Sequence, residues 1–245
     1  MGVIDDILGT LSGDAVVADI RMCAFWTALV TANGVRRCGL ASTLRAEPHT
    51  GDVFVSDSGV LLERSARQVA ELVRSDSPLE ASIGMAAINA LIPVDAGACV
   101  EVNGADLALE RGRGRRVVIV GHFPFVERFR AVAQTCWVLE RQPRAGDLPA
   151  ESAADIIPQA DVVVLTGTSV MNHTFDTLLS LCSPGAFVVA LGPSTPLSPV
   201  LFDHGVDVIA GTVVEDIDMT LRYISQGATF RQVKGVRFAS MVAVR

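Results

Sequence analysis

The chain has 245 residues, half of them apolar but only 5% aromatic, with 20 Lys and Arg against 27 Asp and Glu. A formal net charge of −7 argues against sequence-independent binding to nucleic acid, which needs Lys and Arg to neutralise phosphates, and against docking on an anionic membrane surface. The length suits one large domain or two small ones with a substantial core.

The first residues, Met1-Gly2-Val3-Ile4-Asp5-Asp6, are acidic where a secretory signal is basic, and Asp6 stands where myristoylation needs Ser or Thr. The longest weakly polar stretch, Ser82 to Val100, is interrupted by Asn89, Pro93 and Asp95. A cytoplasmic protein without a membrane span is the expectation. The five cysteines, Cys23, Cys38, Cys99, Cys136 and Cys182, contain no C-x-x-C pair, and no two histidines sit four apart. They read as small buried thiols, and no local zinc site is visible.

Along the chain, Ala18, Ile20, Met22, Ala24, Trp26, Ala28 and Val30 alternate with polar positions and predict one long strand. Asn33-Gly34 predicts a type I′ turn into a partner strand, Val35–Thr43. In that register Cys38 faces Leu29 and Cys23 faces Leu44, so the sulfurs stand roughly 20 Å apart and cannot share a metal. Val53–Val55 suggests a short third strand. Ser65–Arg74 reads as a helix, and the capping box Ser77-Pro78-Leu79-Glu80 opens another that runs to about Leu91 and stops at Pro93. This is an α+β unit.

The basic run Arg111 to Arg116 reads as a flexible connector, which divides the chain into 1–105 and 106–245. Beyond it the rhythm becomes strand–helix alternation. Strands are expected at Arg116–Val120, Cys136–Leu139, Asp161–Leu165, Ala186–Leu191 and Val206–Ala210. Helices are expected at Val126–Ala133, Val170–Leu181 and Val214–Gln226, and the tail Val233–Val244 is placed on an edge. The fold class is α/β, with a doubly wound parallel sheet in the second part.

Such sheets bind ligands beyond the carboxyl ends of their strands, and four loops fall there. Gly121-His122-Phe123-Pro124-Phe125 carries bulk where a dinucleotide fold has glycines, and His122 is the candidate acid, base or ligand. Glu140 stands where an acidic residue takes ribose hydroxyls, and Pro143, Gly146, Asp147 and Pro149 stiffen the loop after it. Thr166-Gly167-Thr168-Ser169, with Asn172, and Gly192-Pro193-Ser194-Thr195-Pro196 are candidates for holding a carboxylate or other anion. Asn89 is placed to reach the site from the first domain.

These loops, together with Ala160-Asp161, Gly205 and Gly211, resemble the "putative heavy-metal chelation" domain family, and Gly84 to Ala90 is similar to that family's second helix. The resemblance implies an enolase-N-terminal-like domain followed by a Rossmann-like domain, and a site between the two. It also implies a connection with metal chelation or with a chelator such as a pterin, flavin or siderophore-like molecule, and with a divalent or heavy metal ion. Three readings follow. The first is an enzyme-like protein binding a small polar molecule or metal chelate. The second is a non-catalytic metal or metallophore binder. The third is an enzyme dependent on S-adenosylmethionine or a nucleotide, which Glu140 favours and Phe123-Pro124 opposes. A homodimer is the default assembly.

Overall fold

The computed structural model describes residues 2–32, 34–45, 54–94, 97, 99–100 and 102–244. It opens with helix α1 (Val3–Thr10), which is absent from the sequence expectations. Val3, Ile7 and Leu8 are buried at helical spacing, and Asp5 and Asp6 occupy the first turn, where negative charge suits the helix dipole.

Strands β1 (Val17–Met22), β2 (Trp26–Thr31) and β3 (Arg37–Ser42) form an antiparallel meander in that order. The single long strand expected over Ala18–Val30 is therefore two. The Cys23 N–H donates to the Trp26 carbonyl at 2.8 Å and closes a tight turn that no Gly, Pro or Asn announces. Asn33 lies outside the described residues, but five residues rather than two separate the end of β2 from the start of β3. The register shifts accordingly: Cys38 faces Val30, not Leu29, and Cys23 lies in the turn rather than opposite Leu44. Val53 also lies outside the described residues, and Phe54 and Val55 form no strand.

Helix α2 (Ala66–Ala70), continued by a 3-10 turn to Arg74, and α3 (Pro78–Leu91) follow as expected. Ser65 and Gln68 make a capping box on α2; at α3 only the Ser77 half of the expected box forms, because the Glu80 carboxylate accepts from the Ser56 N–H and the Ser75 hydroxyl instead. Two glycines let β3 and the 3-10 turn lie directly on α3. A Cβ on Gly39 would stand 2.1 Å from the Ala86 carbonyl oxygen, and one on Gly84 would stand 2.0 Å from the Val73 nitrogen.

Helix α4 (Gly104–Arg111), unexpected from the sequence, spans the expected domain boundary and ends where the basic run Arg111 to Arg116 begins. Asn103 caps it by accepting from the Ala105 N–H at 2.9 Å, and its Ala105, Ala108 and Leu109 are buried. The arginines around it have local partners: Arg111 lies over the Phe187 ring and Arg116 pairs with Asp161 at 2.8 Å.

The second sheet has seven strands: β4 (Arg116–Val120), β5 (Thr135–Glu140), β6 (Leu148–Pro149), β7 (Val162–Thr166), β8 (Phe187–Leu191), β9 (Val208–Val214) and β10 (Val236–Val242). Their order is β10-β9-β8-β7-β4-β5-β6. β4 to β9 run parallel, and β10 pairs antiparallel with β9 on the edge. Helices α5 (Val126–Arg130), α6 (Ala153–Ile156), α7 (Thr168–Met171), α8 (Phe175–Ser180), α9 (Val200–Asp203) and α10 (Ile217–Ser225) intervene. The expected helix over Val170–Leu181 is thus broken into α7 and α8. Asn172 Oδ1 accepts from both the Thr174 N–H and its hydroxyl, diverting the backbone, and His173 adopts φ +60°.

One sheet face, including Val118, Leu139, Val163, Val188 and Ile209, shares a continuous core with α1 and α3 of the first half. The other face, including Val117, Ile119, Val138, Val164 and Val189, packs on α4 and α5. The protein is therefore α/β, with a three-stranded antiparallel sheet and its helices followed by a mostly parallel seven-stranded sheet. No described helix is long and apolar enough to cross a membrane.

Candidate functional site

Strand order reverses between β4 and β7: β5 and β6 lie on one side, β7 to β9 on the other. Loops leaving the carboxyl ends of β4 and β7 diverge there, and the gap is where such sheets take ligands. A cavity of about 440 Å³ occupies it. Gly121, His122, Phe123, Glu140, Thr166, Thr168 and Asn172 line it, together with Arg141, Ser169, His173, Thr177 and the apolar Val120, Leu139, Leu178 and Leu181. The described residues that line it fall within 120–181, in the second half of the chain.

The His122 loop is held at every turn. Gly121, at φ +99°, swings the chain out of β4, and a side chain would be strained there. The His122 N–H donates to Glu140 Oε2 at 2.8 Å, while Glu140 Oε1 accepts from the Arg141 N–H at 2.7 Å and the Gln142 N–H at 3.5 Å. The carboxylate expected to hold ribose hydroxyls thus clamps two adjacent loops. Phe123 stacks on Phe125 at 4.9 Å, with Pro124 between them.

The decisive partner of His122 is Asp147, 0.0 in fractional exposure of its side chain and 2.8 Å from Nδ1 through Oδ2. The Arg144 N–H also donates to Oδ2, at 3.1 Å, and Arg130 of α5 donates to Oδ1, at 3.2 Å. Burial pushes the Asp147 carboxyl up, but the Arg144 N–H, His122 and Arg130 outweigh it and hold it below its ordinary value. An ionised carboxylate only accepts, so Nδ1 carries the proton, and in that tautomer Nε2 keeps a lone pair for a ligand. Sequence reasoning gave Asp147 only a wall-forming role. The available signal was topological: parallel pairing of β4 with β5 sets the segments after 120 and after 140 side by side.

The other candidates divide. Thr166 and Thr168 hydroxyls bond each other at 3.0 Å, and Ser169 donates to the Thr166 carbonyl at 2.5 Å. The Gly167 N–H is used by the Leu191 carbonyl at 3.0 Å and α7 is a single turn, so the Thr166, Thr168 and Ser169 hydroxyls and the Gly167 N–H already have partners. Gly167 does not line the cavity; a Cβ there would stand 2.4 Å from Thr195 Oγ1. Gly192, Pro193, Ser194 and Thr195 lie off the cavity too. Ser194 Oγ accepts from the Ser42 N–H at 2.8 Å, and Thr195 is buried with no hydrogen-bond partner for its hydroxyl. Asn89 donates to the Leu40 carbonyl at 2.8 Å and the Ser194 carbonyl at 3.4 Å, tying this loop to the first half rather than reaching the cavity.

His173 was not among the candidates, yet it lines the cavity while its Nε2–H donates to the Val73 carbonyl at 2.8 Å. His204 pairs with Asp6 at 2.8 Å, away from the cavity. His49 lies outside the described residues. For a resident metal the donor set is poor. Among the described residues no three His, Cys, Asp or Glu side chains converge, and both Glu140 oxygens are committed. Burial also pushes the Cys38 thiol up to about 12 and those of Cys136 and Cys182 up to about 11, which disfavours the thiolate a metal needs.

Two family profiles match the chain, both described as "Putative heavy-metal chelation": DUF4213 over residues 4–92 and DUF364 over 103–242. An uncharacterized protein of Methanocaldococcus jannaschii is 27% identical over 216 residues, covering 84% of this chain and 82% of that one. A crystal structure of a DUF364-family protein of unknown function from Desulfitobacterium hafniense superposes with TM-score 0.83 at 27% identity, covering 98% of this chain and 97% of that one. A second, from Pyrococcus horikoshii, gives TM-score 0.82 at 19% identity, covers 98% of both chains and shows the shared fold.

Proposed function

The chain belongs to the DUF364 family, and from that premise we propose that it binds a small polar molecule, a chelator or a metal chelate, in the cavity at the β4–β7 divergence, with His122 as the acid–base group or metal-facing ligand. One observation carries the reading: His122 lines the cavity with Nδ1 fixed by a buried, ionised Asp147, which leaves Nε2 as an acceptor of set tautomer. The donor set does not fit a tightly held resident metal, so in this reading any cation arrives with its chelator. The strand order supports a Rossmann-like second domain following an enolase-N-terminal-like first one. The charge balance supports a protein that binds no nucleic acid, and a homodimer is the simplest assembly.

Native mass spectrometry and elemental analysis of the purified chain test this directly. A co-purifying small molecule, with or without metal, that is lost from His122→Ala supports the reading. Stoichiometric metal without any organic component favours a plain metal binder, and a ligand indifferent to His122→Ala removes that residue from the site. The nucleotide reading is weakened by the committed Glu140 carboxylate. A rise in Tm with S-adenosylmethionine or a dinucleotide would restore it, because ligands that bind only the folded state stabilise it.

A further inference from the structure

The cavity also carries information about what it takes. Its titratable lining among the described residues consists of Glu140, Arg141, His122 and His173, and Arg141 is the one Lys or Arg. Among the described residues no carboxylate pairs with Arg141, as none pairs with Arg113, Arg115, Arg144, Arg222 or Arg231, but of these Arg141 is the one that lines the cavity. The nearest acid in sequence, Glu140, already accepts from the N–H groups of His122, Arg141 and Gln142. The backbone of Arg141 is thereby anchored at the cavity wall while its guanidinium keeps its fork of donors for something else.

Opposite requirements hold at His122. In the Nδ1–H tautomer that Asp147 selects, Nε2 is an acceptor, and a ligand that brings a donor there suits it. Beside these groups the lining includes the apolar Val120, Leu139, Leu178 and Leu181 together with the hydroxyls of Thr166, Thr168 and Thr177. At about 440 Å³ the space lies within the ~300–1,000 Å³ range of small-molecule pockets.

Resting on the site reading above, we propose that the ligand is a small hydroxy acid with an apolar body. Its carboxylate is taken by Arg141, its hydroxyl donates to His122 Nε2, and its body covers Leu139, Leu178 and Leu181. A carboxylate beside a hydroxyl is also the oxygen pair that a chelating acid offers a hard or borderline cation, so this class agrees with the family's description. The same arrangement argues against a nucleoside, for which the cavity leaves no free carboxylate.

Salicylate is a suitable probe, with salicylamide as its uncharged analogue and benzoate as the analogue lacking the hydroxyl. Titrated calorimetrically into the full chain, salicylate should bind at least about tenfold more tightly than either analogue. Arg141→Glu should weaken salicylate by about tenfold or more and leave salicylamide nearly unchanged, while Arg141→Lys keeps part of the affinity. Thr177→Trp, which fills the cavity from an exposed helix position, should abolish binding of all three. If Thr177→Trp blocks salicylate but Arg141→Glu does not weaken it, the ligand class is wrong and the site stands. If salicylate binds and Thr177→Trp leaves it bound, the site reading falls as well. No binding of salicylate at about 10 mM, or equal binding of salicylamide, overturns the proposal.

Discussion

Asp147→Ala removes a single carboxylate on which three donors converge: His122 Nδ1 and the Arg144 N–H at Oδ2, and Arg130 at Oδ1. Hydrogen bonds to a charged acceptor contribute about 1.5–3 kcal/mol each, but these do not simply add. The His122 and Arg130 side chains are 18% and 28% exposed, so both recover water once released. The expected loss is about 2–3 kcal/mol, below the ~3–5 kcal/mol seen when a fully buried ion pair loses one member. Asp147→Asn separates charge from geometry. With its amide oxygen in the Oδ2 position it still accepts from His122 and Arg144, and its NH₂ faces only Arg130, which can swing into solvent; the cost should be nearer ~1 kcal/mol. Urea unfolding measures both, and long-range ¹H–¹⁵N correlation of the imidazole reads which nitrogen holds the proton. Nδ1–H should persist in Asp147→Asn and give way to a tautomer mixture in Asp147→Ala. Because the Asp147 carboxyl is held below 3.8 when folded, its charge contributes fully above that pH and is lost as the pH falls towards the folded value. The difference between wild type and Asp147→Asn should shrink over the same range. An Asp147→Ala protein as stable as wild type, with His122 still wholly Nδ1–H, would refute the argument.

Three further outcomes follow from the packing and the titrations. Gly39→Ala drives a methyl to 2.1 Å from the Ala86 carbonyl oxygen and should cost about 3 kcal/mol or more in chemical unfolding, since backbone on both sides resists displacement; near-wild-type stability would mean that β3 does not lie on α3 as described. Asp161, held down to about 2 chiefly by its hydrogen bonds from Arg116, should contribute its stabilisation above pH 3.8 and lose it as the pH falls towards 2. The wild-type and Asp161→Asn acid unfolding curves should therefore converge in that window, from a gap kept small by solvent screening. Cys38, with its thiol pushed up to about 12, and Cys136 and Cys182, pushed up to about 11, should resist alkylation at pH 8 until denaturant is added. Peptide mapping after iodoacetamide treatment resolves each site, and labelling at the rate of a free thiol would contradict the burial.

What the sequence announced of the fold followed how strongly each segment declares its period. The buried runs Arg116–Val120 and Val162–Thr166 are β-branched, separated by helices, and could hardly be anything but parallel core strands. The first sheet was harder. β2 is buried on both faces, by Leu29 on one and by Trp26, Ala28 and Val30 on the other, so its alternation carries no inside and outside and runs unbroken through the Cys23–Trp26 turn. Helix α4 was hidden for the opposite reason. Its Gly104 looks like a breaker, yet only glycine allows this approach to β9, because a Cβ there would meet that of Ala210 at 2.5 Å.

The candidate site shows the same division at the level of single residues. Position after a strand was enough to single out His122, Glu140, Thr166 and Thr168, because the end of each parallel strand is forced to the same edge. Position could not say whether a polar group there is free. Glu140 spends its hydrogen bonds on the His122 loop and its own, the Thr166 and Thr168 hydroxyls bond each other, and Ser194 bonds Ser42, contacts fixed only once the loops are folded. The groups left over are the ones that composition ranks lowest as signals: an arginine in a turn and the second nitrogens of two histidines. A ligand is recognised by what folding leaves unsatisfied, which here directs mutagenesis to Arg141, His122 and His173 before the glycine- and threonine-rich loops.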